Sequence, residues 1–421
     1  MQSEERDYFT DHSVLRDPYE YFEEMYSKCP VHQLKNREDV VFVTGFEEAI
    51  DVLRNTADFS SAVSVPGAAV PLPFEPHGDD ISEQLEKHRA QIPGFGLLVT
   101  YDGAQHSASR SLLTGLFAPS RLKANEVFMQ EFADNLVREA VARGKCELIQ
   151  EIAAPYATLV IAALLGVPAD DREAFRKVID AGPPPGNMDA EDKPHSSGVL
   201  EYLAGFFFRY VQDRRANPRA DVLTELATAK YPDGSTPDLM EIVRLSIFLF
   251  GAGQDTSAKL LGNCMRFIIE NPGLQQRLRN DRALIPPFIE EVLRLEGSTK
   301  ATFRVAIRKT KIGGKEIPAG KKVVVALAAA NRDPRRWPQP KEFKLDRERS
   351  REHLAFGRGA HTCIGAPLAR AEVRVILDRF FEHTSEIGLS EEQHGPAGNR
   401  QLNYEPSFII RGLEKLFLEL R

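Results

Sequence analysis

Residues 353–372 read HLAFGRGAHTCIGAPLARAE. One cysteine, Cys363, stands there with Gly357 and Gly359 before it and Gly365 after it. Glycine adopts backbone shapes closed to other residues and lets another body approach the main chain. The following GAPLARAEVRVILDRFF has strong helical spacing, with Pro367 near its first turn. A thiol at a helix N-terminus meets free N–H groups and positive partial charge, both of which favour its thiolate. A thiolate is a nucleophile or a metal ligand. His361 close by keeps a cysteine-hydrolase reading open, and burial as a small apolar group is the ordinary fate of a free cysteine. Spacing alone does not choose among the three.

The rest of the chain bounds the choice. Of 421 residues, 42% are hydrophobic and 27% charged, an ordinary globular balance that can bury a large core and enclose a cofactor. A net charge of −7 argues against bulk attraction to nucleic acid or an anionic membrane. The acidic start MQSEERDYFTDHSVLRDPYEYFEEM has neither the apolar core of a signal peptide nor the ~20 apolar residues of a membrane span. A cytoplasmic protein with no membrane anchor is expected. Cys29, Cys146, Cys264 and Cys363 show no CxxC pairing, which speaks against a disulfide framework or a structural zinc. The first three are expected to be small packed groups.

Helical patterning dominates, from DPYEYFEEMYSKC onward. DVVFVTGFEEAIDVLRNT predicts a strand, a glycine turn and a helix. Residues 61–99 are rich in Pro and Gly and predict a long irregular loop around a short polar helix. A second break, DAGPPPGNMDAEDKPHSSG at 180–198, is one that no helix crosses. Beyond it, TPDLMEIVRLSIFLFGAGQDTSAKLLGNCMRFIIENP predicts one helix of roughly 34 residues, ~50 Å long, with Thr236 as N-cap and Pro237 in its first turn. IPPFIEEVLRLE predicts a short helix. ATFRVAIRKTKIGGKEIPAGKKVVVALAAANRDP predicts two to four short strands.

FGRGAHTCIGAPLAR resembles the haem-binding signature of the cytochrome P450 enzymes, with Phe356, Gly357, Gly359, Cys363, Gly365 and Ala366 in register. The resemblance implies that the Cys363 thiolate ligates the iron of haem b. AGQDT resembles the family's oxygen-binding motif, which implies that Ala252 and Gly253 lie over the haem and that Asp255 and Thr256 relay protons. Glu291 and Arg294, spaced i, i+3, pair on a helix, and on their own read as a solvated surface bridge. EEVLR is similar to the family's Glu-x-x-Arg, whose third member is Arg347, and this implies a folding role. His106 and Arg110, spaced i, i+4, together with Arg304 and His361, match cations that hold the haem propionates. Arg suits a carboxylate because its fork is bidentate. The chain departs from the family at Gly103-Ala104-Gln105, where Pro-Pro-Glu is common, and at Ser298, where proline is usual.

The resemblance runs over about residues 15–415 and implies a single domain, 1–421, mainly α with a small β-rich region and a long central helix over the haem. The implied reaction is hydroxylation of a C–H bond in a small hydrophobic substrate, such as a terpenoid, steroid or fatty acid, with O2 as oxidant. Electrons are expected from a separate ferredoxin or flavodoxin with its reductase, meeting the cysteine side near Arg358 and Arg110. A haem-thiolate sensor or ligand carrier, a peroxide-dependent relative and a haem-thiolate isomerase are the rival classes. A sensor needs no proton relay. The pocket is expected beneath residues 62–99 and 180–198, lined by Phe248, Ala252, Thr299, Ala301, Thr302, Phe408 and Ile409. Lys300 is expected to be solvated or to meet a substrate carboxylate.

Overall fold

The long helix of the GAGQDT segment spans Leu239–Glu270 and is α throughout. At 32 residues it is ~48 Å long. It starts later than expected. Asp238 is the N-cap and accepts from the Met240 N–H at 2.7 Å. Thr236 and Pro237 stay outside the helix, and the Pro237 carbonyl accepts from Arg215 at 2.8 Å. A carboxylate with a free reach to the second N–H of the helix outcompetes the threonine two residues earlier.

A computed structural model describes residues 6–180 and 197–421. Among them, helices Ala154–Leu164 and Ser197–Ala216 pack along the long helix, and Pro119–Arg143 packs on Ala366–His383. The main core fills the space between, with Leu249, Phe250, Leu260, Leu261 and Met265 of the long helix all buried in it. Burial of each such side chain is worth ~1.5–3 kcal/mol, which is why a helix interrupted by Gly251, Gly253 and Gly262 still holds.

The strand segments form a mixed five-stranded sheet in the order Val31–Gln33, Val40–Val43, Lys322–Val325, Thr302–Ala306, Phe59–Ser60. Only Val40–Val43 against Lys322–Val325 is parallel. The predicted strand region from residue 301 holds four strands, two of them a separate hairpin, Thr310–Ile312 with Lys315–Ile317. The sheet sets Arg304 opposite Val323 in register and aims its guanidinium at the haem-signature side of the molecule. Helices Tyr19–Lys28, Phe46–Arg54 and Ile285–Glu296 fall where their patterns placed them. Residues 61–99 are irregular around a helix at Ser82–His88. Ala62, Val63, Ala68, Ile81, Leu85, Ile92 and Leu98 are buried, so this loop is pinned to the body along its length. The break at 180–198 lies almost wholly outside the described residues.

Candidate functional site

The cysteine loop is built by hydrogen bonds that only its glycines permit. Gly357 and Gly359 have φ of +66° and +77°. A side chain at Gly359 would strike the Leu53 carbonyl oxygen at 2.4 Å. Cys363 N–H donates to the Phe356 carbonyl at 2.9 Å, and Arg110 donates to the Thr362 carbonyl at 2.6 Å. Helix Ala366–His383 begins directly after, with Pro367 in its first turn.

Cys363 is exposed, yet burial is the leading push on its thiol, upward. The two facts together place the sulfur in the wall of an internal opening. The N–H groups of Gly365 and Ala366 and the charges of Arg110 and Arg370 push the other way. The sequence argument for a stabilised thiolate is therefore half of the balance, because the apolar wall opposes the helix end. Cys146 and Cys264 are buried and Cys29 half-buried, as their isolation predicts.

The long helix has its own opening. Gly251 and Ala252 are exposed in the middle of a helix buried on both sides of them. Thr256 is half-buried and its Oγ1 donates to the Ala252 carbonyl at 2.9 Å. Asp255 is buried, at 9% exposure. Gly253 faces elsewhere: a Cβ there would meet Ile161 at 3.6 Å, whereas one on Gly251 would meet nothing within 4 Å. The glycine at the opening is thus Gly251, and Gly253 serves close packing of the neighbouring helix.

Four basic side chains converge beside the cysteine loop. His106 is buried, and its Nε2 has no hydrogen-bond partner among the described residues. Its ring lies 3.9 Å from that of His361, centroid to centroid. His361 Nε2 meets Ser61 Oγ at 3.0 Å. Arg304 is 4% exposed and donates to the Phe303 carbonyl at 2.6 Å and Thr302 Oγ1 at 3.2 Å. Among the described residues no carboxylate stands within ion-pair distance of it. Burial lowers Arg304 to about 10, with Asp102 opposing. Burial, then Arg304, His106 and Arg110, lower His361 to about 2. The nearby acid, Asp102, is already engaged by the Ser61 N–H and by Arg89, both at 2.8 Å. Buried cations without counter-charge, and an orphaned imidazole nitrogen, are costly. The two carboxylates of a haem would supply the missing counter-charge, so the residues present fit the group.

Glu291 and Arg294 are fully buried rather than solvated. Arg294 pairs with both carboxylate oxygens, at 2.8 and 2.9 Å, and donates to the carbonyls of Asn331 and Pro340. Arg347 reaches Glu291 at 2.8 Å. The pair fastens the helix to the irregular segment that leads into the cysteine loop. Two partners of that loop leave no signature in the sequence. Glu290 holds Arg370 at 2.6 Å and His353 at 3.2 Å, and Arg370 lies over the Phe356 ring at 4.6 Å. The same holds for Ser61, Arg89 and Asp102. None of these has a spacing signature, because their partners are distant in the chain.

The expected pocket divides. Phe248, Thr299, Thr302 and Ile409 are half-buried, and Thr299 bridges to Ile410. Ala301 and Phe408 belong instead to an aromatic core. The Phe408 ring contacts Phe9 at 5.4 Å and Phe303 at 5.7 Å, and a Cβ on Gly67 would lie 2.8 Å from it. Lys300 is not solvated: it is fully buried and donates to the carbonyls of Leu15, at 2.7 Å, and Ser407. An ammonium that closes three chain segments together is a clamp, and it is spent before any substrate arrives.

The sequence model described as Cytochrome P450 matches residues 196–385. The chain is 30% identical over 410 residues to cytochrome P450 monooxygenase PikC of Streptomyces venezuelae, covering 96% of this chain and 91% of that one. Its fold matches the substrate-free cytochrome P450 CYP150A6 of Mycobacterium marinum with a TM-score of 0.94 and 47% identity, over 100% of this chain and 99% of the other. It matches CYP109E1 of Bacillus megaterium in complex with corticosterone with a TM-score of 0.80 and 26% identity, over 97% and 99%. The chain belongs to the cytochrome P450 family. It is a monooxygenase of that family, its cofactor is haem b, and its fold is the mainly α family fold with a small sheet region. Redox partners and small substrates serve such bacterial enzymes. No helix among the described residues is long and apolar enough to cross a membrane.

Proposed function

We propose that the chain is a single-domain, cytoplasmic haem-thiolate monooxygenase that hydroxylates a C–H bond of a small hydrophobic substrate, with Cys363 as the iron ligand. One observation carries this assignment: an exposed thiol inside the body lies beside four basic side chains that have no carboxylate at ion-pair distance among the described residues. His106, Arg110, Arg304 and His361 hold the propionates. Phe356, Gly357 and Gly365 shape the loop that lies against the ring, with Ala252 and Gly251 on the long-helix side. The chemistry that haem b supplies in this family is reductive activation of O2 and insertion of one oxygen atom into a C–H bond.

The chain's own residues do the rest. The N–H groups of Gly365 and Ala366 donate to the sulfur and moderate its basicity. Thr256 Oγ1, tethered to the Ala252 carbonyl, orients a hydroxyl toward the opening, and Asp255 passes protons to it. Phe248, Thr299, Thr302 and Ile409 exclude water from a mostly apolar pocket, with residues 62–99 as its roof. This lining, and the steroid seated in the related CYP109E1, favour a steroid-, terpenoid- or fatty-acid-like substrate. Electrons come from a ferredoxin or flavodoxin with its reductase. Arg358, whose side chain adjoins Arg54 and Arg336, offers such an acidic protein a positive face.

The test is a spectral screen. Small apolar compounds added to the oxidised, haem-loaded protein are expected to displace water from the iron and shift its Soret band. Those that do so are then converted to hydroxylated products with a supplied ferredoxin and reductase. Binding with no oxygenated product under any electron donor contradicts the assignment and favours a carrier.

A further inference from the structure

Phe356 is gripped by one carboxylate acting through two side chains. Its main chain already holds the thiol, since Cys363 N–H donates to its carbonyl at 2.9 Å. Its ring is half-buried. The Arg370 guanidinium lies over that ring, 4.6 Å from the centroid, and the His353 ring lies against it at 5.8 Å and 47°. Both of these side chains end on Glu290 of helix Ile285–Glu296. Arg370 Nε donates to Oε1 at 2.6 Å and Nη2 to Oε2 at 3.0 Å. His353 Nδ1 accepts from the Ala355 N–H at 3.1 Å. The ring proton is therefore on Nε2, which donates to Glu290 Oε2 at 3.2 Å.

A buried carboxylate is costly unless it is paired, and the side chain of Glu290 is 2% exposed. The helix has no need of it as a fastener, because Glu291 beside it is tied to Arg294 and Arg347. Glu290 instead serves the cysteine loop. Burial opposes its charge, but the bonds from His353 and Arg370 outweigh burial and hold its carboxyl at about 2, so it is ionised at neutral pH. Arg370 is one of the cations whose charge bears on the Cys363 sulfur. A cation near a thiolate stabilises the anion and weakens its push on a metal. Paired with Glu290, Arg370 brings little net charge to that position.

We infer that Glu290 is a positioning residue for the haem thiolate: it pins the Phe356 ring through Arg370 and His353, and as counter-ion of Arg370 it keeps the full positive charge off the sulfur and the reduction potential of the iron low. The inference rests on Cys363 as the iron ligand. The reduction concerned is the uptake of one electron from the ferredoxin or flavodoxin; no bond is made or broken in it.

Potentiometric titration of the haem-loaded protein with dithionite tests this. Glu290→Gln keeps the shape and one acceptor oxygen but removes the charge. The uncancelled Arg370 cation favours the reduced iron, and the equilibrium is expected to move roughly tenfold toward it, ~59 mV for one electron. The double variant Glu290→Gln/Arg370→Gln removes both charges, and its potential is expected to return toward that of the parent. A purely structural clasp predicts a double variant at least as far from the parent as the single one. That result, or an unmoved potential in Glu290→Gln, overturns the inference. If Glu290→Gln does not take up haem, Arg370→Gln carries the test, measured at about pH 9 so that Glu290 stays ionised. Its potential is expected to fall by a similar factor, and an unmoved or raised value overturns the inference. The carbon monoxide complex separates the two readings. A parent without the thiolate band removes the ligand assignment and this inference with it. A parent with the band, whose potential ignores these substitutions, removes this inference alone.

Discussion

The imidazoles of His106 and His361 lie against each other, 3.9 Å between centroids and tilted by 34° between planes. Two rings this close, with Arg304 and Arg110 beside them, are costly to charge together. Burial and the neighbouring cations hold both below the ordinary histidine range. Each imidazole offers an N–H, and the fixed charge comes from the arginines. That division suits the recognition of two carboxylates, one fork for charge and one N–H for direction.

Arg304→Gln removes the most deeply buried of these cations. A charge-assisted hydrogen bond is worth ~1.5–3 kcal/mol, so the variant is expected to lose haem roughly 30-fold faster. Transfer of haem to an excess of an apo acceptor protein measures the rate. Retention equal to the parent contradicts the propionate role.

Breaking the buried Glu291–Arg294 pair leaves an uncompensated charge and costs ~3–5 kcal/mol. Arg294→Leu is therefore expected to lower stability toward denaturant by about that amount, and Arg294→Lys to rescue little, since a lysine cannot reproduce the bidentate contact together with the bonds to the Asn331, Pro340 and Glu342 carbonyls. Denaturant midpoints at matched haem loading check both. A loss below ~1 kcal/mol is the behaviour of a surface bridge and contradicts the folding role.

Thr256→Ala deletes the hydroxyl tethered to the Ala252 carbonyl, together with one methyl group. The variant is expected to bind haem and substrate like the parent and to divert most electrons into hydrogen peroxide. Peroxide released per electron pair is the measurement, and full coupling shows the relay to be elsewhere.

Burial alone would raise Glu296, but Arg411, Arg266 and Arg332 outweigh it and hold its carboxyl at about 2, against 4.5 when unfolded. A depressed carboxyl contributes stability that is present above the unfolded value and lost as pH falls through the folded one. The stability gap between the parent and Glu296→Gln is expected to be full above about pH 4.5 and to close toward pH 2. Melting temperatures at stepped pH test this, and a gap independent of pH contradicts it.

Much of this was legible because it is local. Helical period, proline and glycine placed the Leu239–Glu270, Ile285–Glu296 and Ala366–His383 helices, and short spacings paired Glu291 with Arg294 and set His106 and Arg110 on one helix. What escaped depends on chain segments that meet only after folding. The burial of Lys300 needs the Leu15 and Ser407 carbonyls. Phe408 reads as pocket lining because nothing in its sequence neighbourhood reveals Phe9, Gly67 and Phe303 around it. Glu290 stands beside Glu291 with the same residue type, and only the arrival of Arg370 and His353 separates their roles. Asp238 displaced Thr236 as cap because its carboxylate reaches the Met240 N–H; either residue type caps a helix, and only the path of the chain decides between them.

The central claim is that Cys363 ligates the iron as a thiolate. The carbon monoxide complex of the dithionite-reduced protein tests it most directly. The Soret band is expected at the red-shifted position diagnostic of a thiolate ligand, and to be lost in Cys363→Ser. A parent protein that takes up haem yet shows the band of a nitrogen-ligated complex, or keeps the thiolate band without Cys363, contradicts the account.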